Sequence, residues 1–244
     1  MFDAAVDDAA RADAIARYPQ EACGVVAGDP PVYVALPNAA DDPLEFFLLP
    51  PRTLIDHAPV HAVIHSHCHP RHERPPTARD MEAQIEAALP FGIVWTDGQK
   101  ASAPLWWGDF LLDRPLFDAK GCHIQREFVH GVTDCYALIR VYYWQFHKVK
   151  LPEFPRDLYW WNNGGDLYRK GFAAAGFHEV LPAHARPGDG VFMCWGRCSV
   201  PFHAGILMGN GLILHHLRNR LSRREPFARW AQRATHYVRH EACQ

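Results

Sequence analysis

The sequence predicts an α+β protein of two domains, 1–112 and 113–244, and three observations carry that reading. At 244 residues the chain is longer than one core usually serves, so two compact units with separate cores are expected. Apolar β-branched runs are interspersed with helix-period segments on both sides of the chain's middle. Between Gly98 and Phe117 the periodicity fades, and DRPLF, from Asp113, supplies a proline where a linker tolerates one.

The elements follow in order. Residues 4–18 read as a helix, because Ala5, Ala9, Ala12, Ile15 and Ala16 approximate a helical stripe and Pro19 ends it. CGVVAG from Cys23 and PVYVAL from Pro31 are two short strands joined by a turn at Asp29, Pro30 and Pro31. HAVIHSH, from His61, is apolar enough for a buried strand. A Pro-rich loop leads to TARDMEAQIEAAL, a helix capped by Thr77, and FGIVWTDG is a further strand ending in a turn. Past the linker, TDCYALIRVYYWQF is a helix apolar on most sides and DLYRKGFAAAGF is another. GVFMCW is a strand, and PFHAGILMGNGLILHH is a hairpin turning at Gly209, Asn210 and Gly211. The arginine-rich last twenty-odd residues read as a solvated, partly helical tail.

With 48% apolar residues and a formal charge of −2, the chain gives no reason to expect nucleic acid as its main partner. The acidic start MFDAAVDDAARADAIARY lacks the basic and then apolar pattern of a secretory signal. No apolar run approaches the roughly 20 residues that cross a bilayer, so no membrane insertion is expected. Seven cysteines, an odd number without framework spacing, suit synthesis in a reducing compartment. Cys194 and Cys198 in CWGRC lack a second ligand pair and read as ordinary thiols near a loop.

The densest chemistry lies in HSHCHPRHERPPTARD, His65 to Asp80. On a strand, His65 and His67 project to one face, and Asp80 sits one turn into the following helix, able to close on the same point. Two imidazoles and a carboxylate that leave a position for water are the usual arrangement of a catalytic zinc. The competing reading is a plain one, since Thr-x-x-Asp also starts helices and loop histidines are often merely solvated. Glu21, in PQEACG, adds a carboxylate of the kind that serves as general base.

Together EACG, HSH and TARD resemble the JAMM (JAB/MPN) metalloprotease family, whose pattern is Glu, then His-x-His, seven residues, then Ser-x-x-Asp. The resemblance implies an α/β domain with Zn2+ on His65, His67 and Asp80. It implies Glu21 as the water-activating base and Thr77 in the place of an oxyanion-stabilising serine. Here nine residues separate His67 from Thr77, and threonine replaces serine. Reading His67 and His69 as the pair restores the family spacing and stays open. Cys68 points to the opposite face of a regular strand.

A second constellation centres on Cys135. Thr133 or Asp134 can cap the helix and place Cys135 in its first turn, where the positive end of the helix favours thiolate. The plain alternative is a small buried apolar residue. His203 offers a base, and hairpin parity puts His215 on its side of the sheet for a three-residue loop, or His216 for a two-residue loop. GVTDCYALIRVYY, RPGDGVFM and HAGILMGNGLILHH resemble the NlpC/P60 cysteine peptidases, which implies a papain-like α+β fold. Carried onto this chain, the resemblance makes Cys135 the nucleophile, His203 the general base and later acid, and His215 the orienting group. The backbone N–H of Cys135 would join the oxyanion hole. A tyrosine frequent upstream in that family has no equivalent near His123 and Phe128.

With ALPFGIVWTDG, REFVHGVTDCY and LPEFPRDLYWWNNGGDLYRKGFAAAGF added, nearly the whole chain resembles phage tail-tip assembly proteins of the lambda K type. That implies a peptidoglycan endopeptidase made in the host cytoplasm, carried on the tail beside other tail-tip proteins, and acting on stem peptides of the host wall. The alternatives are a tail assembly module with one or both sites inactive, and a zinc-dependent peptidase processing a phage protein.

Overall fold

The computed structural model describes residues 1–70 and 74–243. It divides into two compact units, Met1–Phe110 and Leu111–Gln244. In the first, α1 (Ala4–Arg17) starts at Asp3, whose carboxylate accepts from the Val6 N–H at 3.0 Å. It buries Val6, Ala10 and Ala14, spaced by four, against Val26, Ala62, Ile64 and Val94, and leaves Ala5, Ala9, Ala12 and Ala16 of the expected stripe exposed, because Val6 brings the larger apolar side chain to the sheet. The sheet comprises β1 (Cys23–Ala27), β2 (Val32–Leu36), β3 (Val60–Cys68), β4 (Phe91–Thr96) and β5 (Leu105–Trp107), with α2 (Thr53–Asp56) ahead of β3 and α3 (Ala78–Ala87) between β3 and β4.

Its order is β2-β1-β3-β4-β5, and only the β3–β4 pair, the one spanned by a helix, is parallel. β3 is central and buried from Ala62 to Cys68. Its even-numbered residues Ala62 and Ile64 meet α1, which leaves His65 and His67 on the other face. β5 was not foreseen from the sequence: three residues on Phe91–Ile93 are too short for a period-two pattern to register.

The second unit is one antiparallel sheet with α4 (Cys135–His147) and the short α5 (Leu167–Gly171). Its strands are β6 (Phe177–Val180), β7 (Gly190–Met193), β8 (His203–Met208), β9 (Leu212–His215), β10 (Arg223–Pro226) and β11 (Ala234–His240), in the order β10-β9-β8-β7-β11-β6. Leu138, Tyr142 and Tyr143 of α4 pack on Phe177, Ala204, Ile206, Leu214 and Val238. The opposite face of the sheet buries Val191, Met193, Leu207 and Ile213 under Phe227, Trp230 and Tyr237.

Two expectations are corrected here. The helix expected over DLYRKGFAAAGF ends at Gly171, and the chain turns into β6. The arginine-rich end is no solvated tail, because β11 lies between β6 and β7 and the Arg239 guanidinium meets Asp189 with two bonds of 2.8 Å. Charge masked the strand: Val238 is buried in the core while its neighbours carry polar groups outward.

Candidate active sites

In the first unit, β3 aims His65 and His67 together, and their Nε2 atoms lie 3.2 Å apart. Asp80 reaches them from the first turn of α3, with Oδ1 3.3 Å from His65 Nε2 and Oδ2 3.3 Å from His67 Nε2. All three side chains are buried. Burial alone would raise the Asp80 carboxyl, but the two imidazoles bring it well below the ordinary carboxylate range. The three residues offer ligand atoms within 4.8 Å of one another. A tetrahedral ion with bonds of about 2.0–2.1 Å has ligand–ligand edges of about 3.3 Å, so nitrogen and oxygen donors at this spacing fit zinc.

Thr77 caps α3: its hydroxyl donates to Asp80 Oδ2 at 2.7 Å and accepts from the Asp80 N–H at 3.2 Å. In this structure the hydroxyl therefore orients the carboxylate. Glu21 Oε1 is 4.0 Å from His67 Nε2, and burial pushes the Glu21 carboxyl up to about 8. His69, the alternative ligand, is exposed beyond β3 with its ring edge on Trp95, outside the cluster. Cys68 points away from the site and donates to the Gln20 carbonyl at 3.3 Å. The loop between β3 and α3, which carries the two residues beyond the family spacing, runs partly outside the described residues, at 71–73.

Sequence reasoning missed Asn38. Its amide donates to the carbonyls of Glu21 and Phe46, each at 3.0 Å, while its Oδ1 accepts from the N–H groups of Ala40 and Leu48. One side chain thus ties the Glu21 backbone to the loop that stacks Phe47 on the His65 ring at 4.2 Å.

In the second unit, Cys135 opens α4 and lines a largely apolar cavity of about 180 Å³ together with His203, His130, His216 and Tyr168. The Cys135 sulfur lies 3.2 Å from the Tyr168 hydroxyl. The hairpin turns on three residues, since Met208 pairs with Leu212 and Gly205 with His215. His203 and His215 are therefore diagonal neighbours, with His203 Nε2 3.0 Å from His215 Nδ1. His216 turns elsewhere, with Nε2 3.2 Å from the Arg220 carbonyl. Gly205 makes this approach possible, because a Cβ there would come within 3.0 Å of the His215 Cβ and 2.9 Å of the Leu214 carbonyl oxygen.

Behind the histidines stands a residue that sequence reasoning missed. Glu225 of β10 places Oε1 2.7 Å from His215 Nε2. Despite the raising effect of its own desolvation, contact with His215 keeps the Glu225 carboxyl low, hence ionised and acceptor-only. A chain of proton assignments follows. His215 Nε2 must donate, so in the neutral ring its Nδ1 accepts. His203 Nε2 must then donate, which leaves Nδ1 as the basic nitrogen of His203. One carboxylate fixes the tautomers of two rings.

The thiolate favoured by the helix N-terminus is opposed by its surroundings. Burial first, and the Asp134 carboxylate second, push the Cys135 thiol up to about 11. Burial, then His215 and His216, hold the His203 imidazole well below its usual range. Both partners are neutral at rest. The same Asp134 caps α4, accepting from Ala137 N–H at 2.9 Å and Gly131 N–H at 2.8 Å. It is gripped by Arg156, whose Nε and Nη2 lie 2.9 and 3.1 Å from its two oxygens. Glu153 links Arg156 to Arg140 through two contacts of 2.6 Å, so a buried ion network holds the helix end that carries the thiol.

Comparison with known proteins identifies the family of the chain. Residues 125–240 match the NlpC/P60 family. Over 244 aligned residues the sequence is 34% identical to tail tip assembly protein K of Escherichia phage N15, covering 96% of this chain and 93% of that protein. Over 175 residues it is 38% identical to tail tip assembly protein K of Escherichia phage lambda, covering 67% of this chain and 85% of that one. The chain belongs to the tail tip assembly protein K family. Within this family member, Cys135, Tyr168, His203, His215 and Glu225 all fall in the NlpC/P60 region, a family of cysteine peptidases and hydrolases. An NlpC/P60 family protein from Bacillus cereus, 12% identical, superimposes with a TM-score of 0.36 over 92% of this chain and 65% of its own length. Among the described residues no helix is long and apolar enough to cross a membrane.

Proposed function

We propose that this protein is a cysteine endopeptidase of a phage tail tip that hydrolyses stem peptides of bacterial peptidoglycan, with a zinc site of the JAMM/MPN type in its first unit. The observation that carries the reading is the ordered chain Glu225–His215–His203, which ends in the cavity that Cys135 lines. With His203 Nδ1 as the basic nitrogen, the thiol proton passes to it as sulfur attacks the scissile carbonyl. The oxyanion meets the Cys135 N–H, one of those that helix geometry leaves without an i−4 carbonyl. His203 then returns the proton to the leaving amine and serves as base for the water that cleaves the acyl-enzyme.

In the first unit His65, His67 and Asp80 would hold zinc, which when bound supplies a Lewis acid and a water of lowered pKa. Glu21, beside His67, would serve as the base for amide hydrolysis there once its burial-raised carboxyl is ionised, and Thr77 keeps Asp80 in place.

Mass spectrometry of muropeptides after incubation with the wild type, Cys135→Ala and His65→Ala tests the assignment. The cut bond should vanish with Cys135→Ala and persist with His65→Ala; equal products from Cys135→Ala and wild type would remove the nucleophile. A second reading, favoured by the word assembly in the names of both relatives, is a tail-building role independent of the thiol. It predicts phages that assemble and inject normally with Cys135 replaced.

A further inference from the structure

A second cavity, about 510 Å³ and open to solvent, is lined by Trp161, Trp195 and Phe202, three side chains that also line the Cys135 cavity. Phe202 lies parallel to Trp161, with centroids 4.9 Å apart and planes at 22°, and Trp195 meets Phe202 at 4.4 Å and 65°. All three are only half-buried. Phe202 immediately precedes His203, so the rigid start of β8 fixes this aromatic floor relative to the general base. Round the floor stand Asn162, Arg197 and Ser199. Their side chains make no hydrogen bond or ion pair with any other described residue. The loop that carries two of them is tethered, because Arg169 Nη2 donates to the Ser199 carbonyl at 2.7 Å.

We propose that this cavity is a saccharide subsite that takes an N-acetylated amino-sugar ring of the glycan attached to the stem peptide. The inference rests on the reading of Cys135 as a peptidase nucleophile for the identity of the attached peptide. A pyranose presents a face of C–H groups and a rim of hydroxyl and acetamido groups. The C–H face suits the electron-rich faces of indole and phenyl rings, and the rim suits an amide, a guanidinium and a hydroxyl with no partners of their own. An apolar peptide side chain would use the floor but leave the rim desolvated, at a cost in each polar group. Cys198, on the same wall, donates to the Val200 carbonyl at 3.3 Å and adds nothing toward a metal.

The test uses full-length protein carrying Cys135→Ala, so that ligands bind without being cut. Three probes are titrated by calorimetry and tryptophan fluorescence: disaccharide-tetrapeptide, the free tetrapeptide, and a chitooligosaccharide. The disaccharide-tetrapeptide should bind about tenfold more tightly than the free peptide, as expected for one well-stacked ring. Arg197→Ala, at a position that lines the second cavity and not the Cys135 cavity, should shrink that difference by about threefold or more while leaving free-peptide affinity within twofold. Asn162→Ala, on an exposed rim position, should lower the preference about threefold without touching the floor. Equal affinities for the two peptides in the parent, or Arg197→Ala weakening both alike, would overturn the subsite. Perturbation of tryptophan fluorescence by the chitooligosaccharide, with neither peptide binding more tightly than the sugar alone, would sustain the subsite and sink the peptidase reading.

Discussion

Replacing Glu225 by glutamine preserves the shape of the side chain and removes the charge on which both histidine tautomers depend. The carboxylate lies 2.7 Å from His215 Nε2, and a 3.0 Å bond separates His215 Nδ1 from His203 Nε2. Spanning the ring between, the carboxylate stands within roughly 8 Å of the His203 ring, a separation at which a unit charge stabilises imidazolium by about 2 kcal/mol at an effective dielectric constant of 20. Glu225 is 12% exposed, so solvent screens part of this and about 1–2 kcal/mol is the reasonable expectation. Since 1.36 kcal/mol is a factor of ten in rate, kcat/KM for muropeptide hydrolysis should fall roughly 5- to 30-fold in Glu225→Gln. The effect should appear in kcat rather than KM, because imidazolium exists only along the reaction path, and melting temperature should move by no more than a few degrees. Activity within twofold of wild type in a correctly folded Glu225→Gln protein would refute the tautomer argument, and so would a loss confined to KM.

The remaining expectations concern the thiol, the strand pairing, the ion network and the metal. With the Cys135 thiol pushed up to about 11, its alkylation by iodoacetamide should accelerate continuously as pH rises from 6 to 10; a plateau above pH 6 would mean a resting thiolate–imidazolium pair. Gly205→Ala should destabilise the second unit by about 1–3 kcal/mol through overpacking against Leu214 and His215 and lower kcat with it, as thermal denaturation and kinetics would show. Arg156→Ala leaves the Asp134 carboxylate buried without its guanidinium, and chemical denaturation should report a loss of about 3–5 kcal/mol. Asp80→Ala and His67→Ala should each abolish zinc uptake, measured by elemental analysis after titration and gel filtration, whereas His69→Ala should leave it intact.

Much of the fold was legible because its longer elements obey one period each. α1 was legible as a helix although it buries Val6, Ala10 and Ala14 and not the expected Ala5, Ala9, Ala12, Ile15 and Ala16, α3 carries its capping pair Thr77 and Asp80, and the hairpin declares itself through Gly-Asn-Gly between apolar runs. The positions of His65, His67 and Asp80 were legible for the same reason, as strand alternation and helix caps are local rules. What local rules do not carry is pairing between strands remote in sequence. Glu225 reaches His215 because β10 lies beside β9, and Tyr168 reaches Cys135 across 33 residues; neither spacing forms a motif. β11 escaped for a different reason. An interior strand bordered by arginines satisfies its charges through Asp189 and solvent, so composition suggested a tail where packing made a strand.

The residue before the nucleophile shows which demand prevails at this site. A helix N-terminus lowers the energy of a thiolate by about 0.3–1 kcal/mol, and a carboxylate as neighbour works against that gain. Asp134 is kept ionised by Arg156 and by the N–H groups of Gly131 and Ala137, even though burial opposes its charge. Its negative charge adds to burial in raising the thiol. In return the first turn of α4 is locked by the charge-assisted cap on Ala137 and a buried bidentate ion pair, with the Gly131 N–H tying the preceding loop to the same carboxylate, which fixes the position of Sγ against Tyr168. Placement is thus favoured over activation. Because burial also keeps His203 neutral, in the proposed mechanism the proton would leave sulfur only when a carbonyl is there to accept the attack, and the catalytic work would fall on the geometry of the pair and on the polarity of Glu225 behind it.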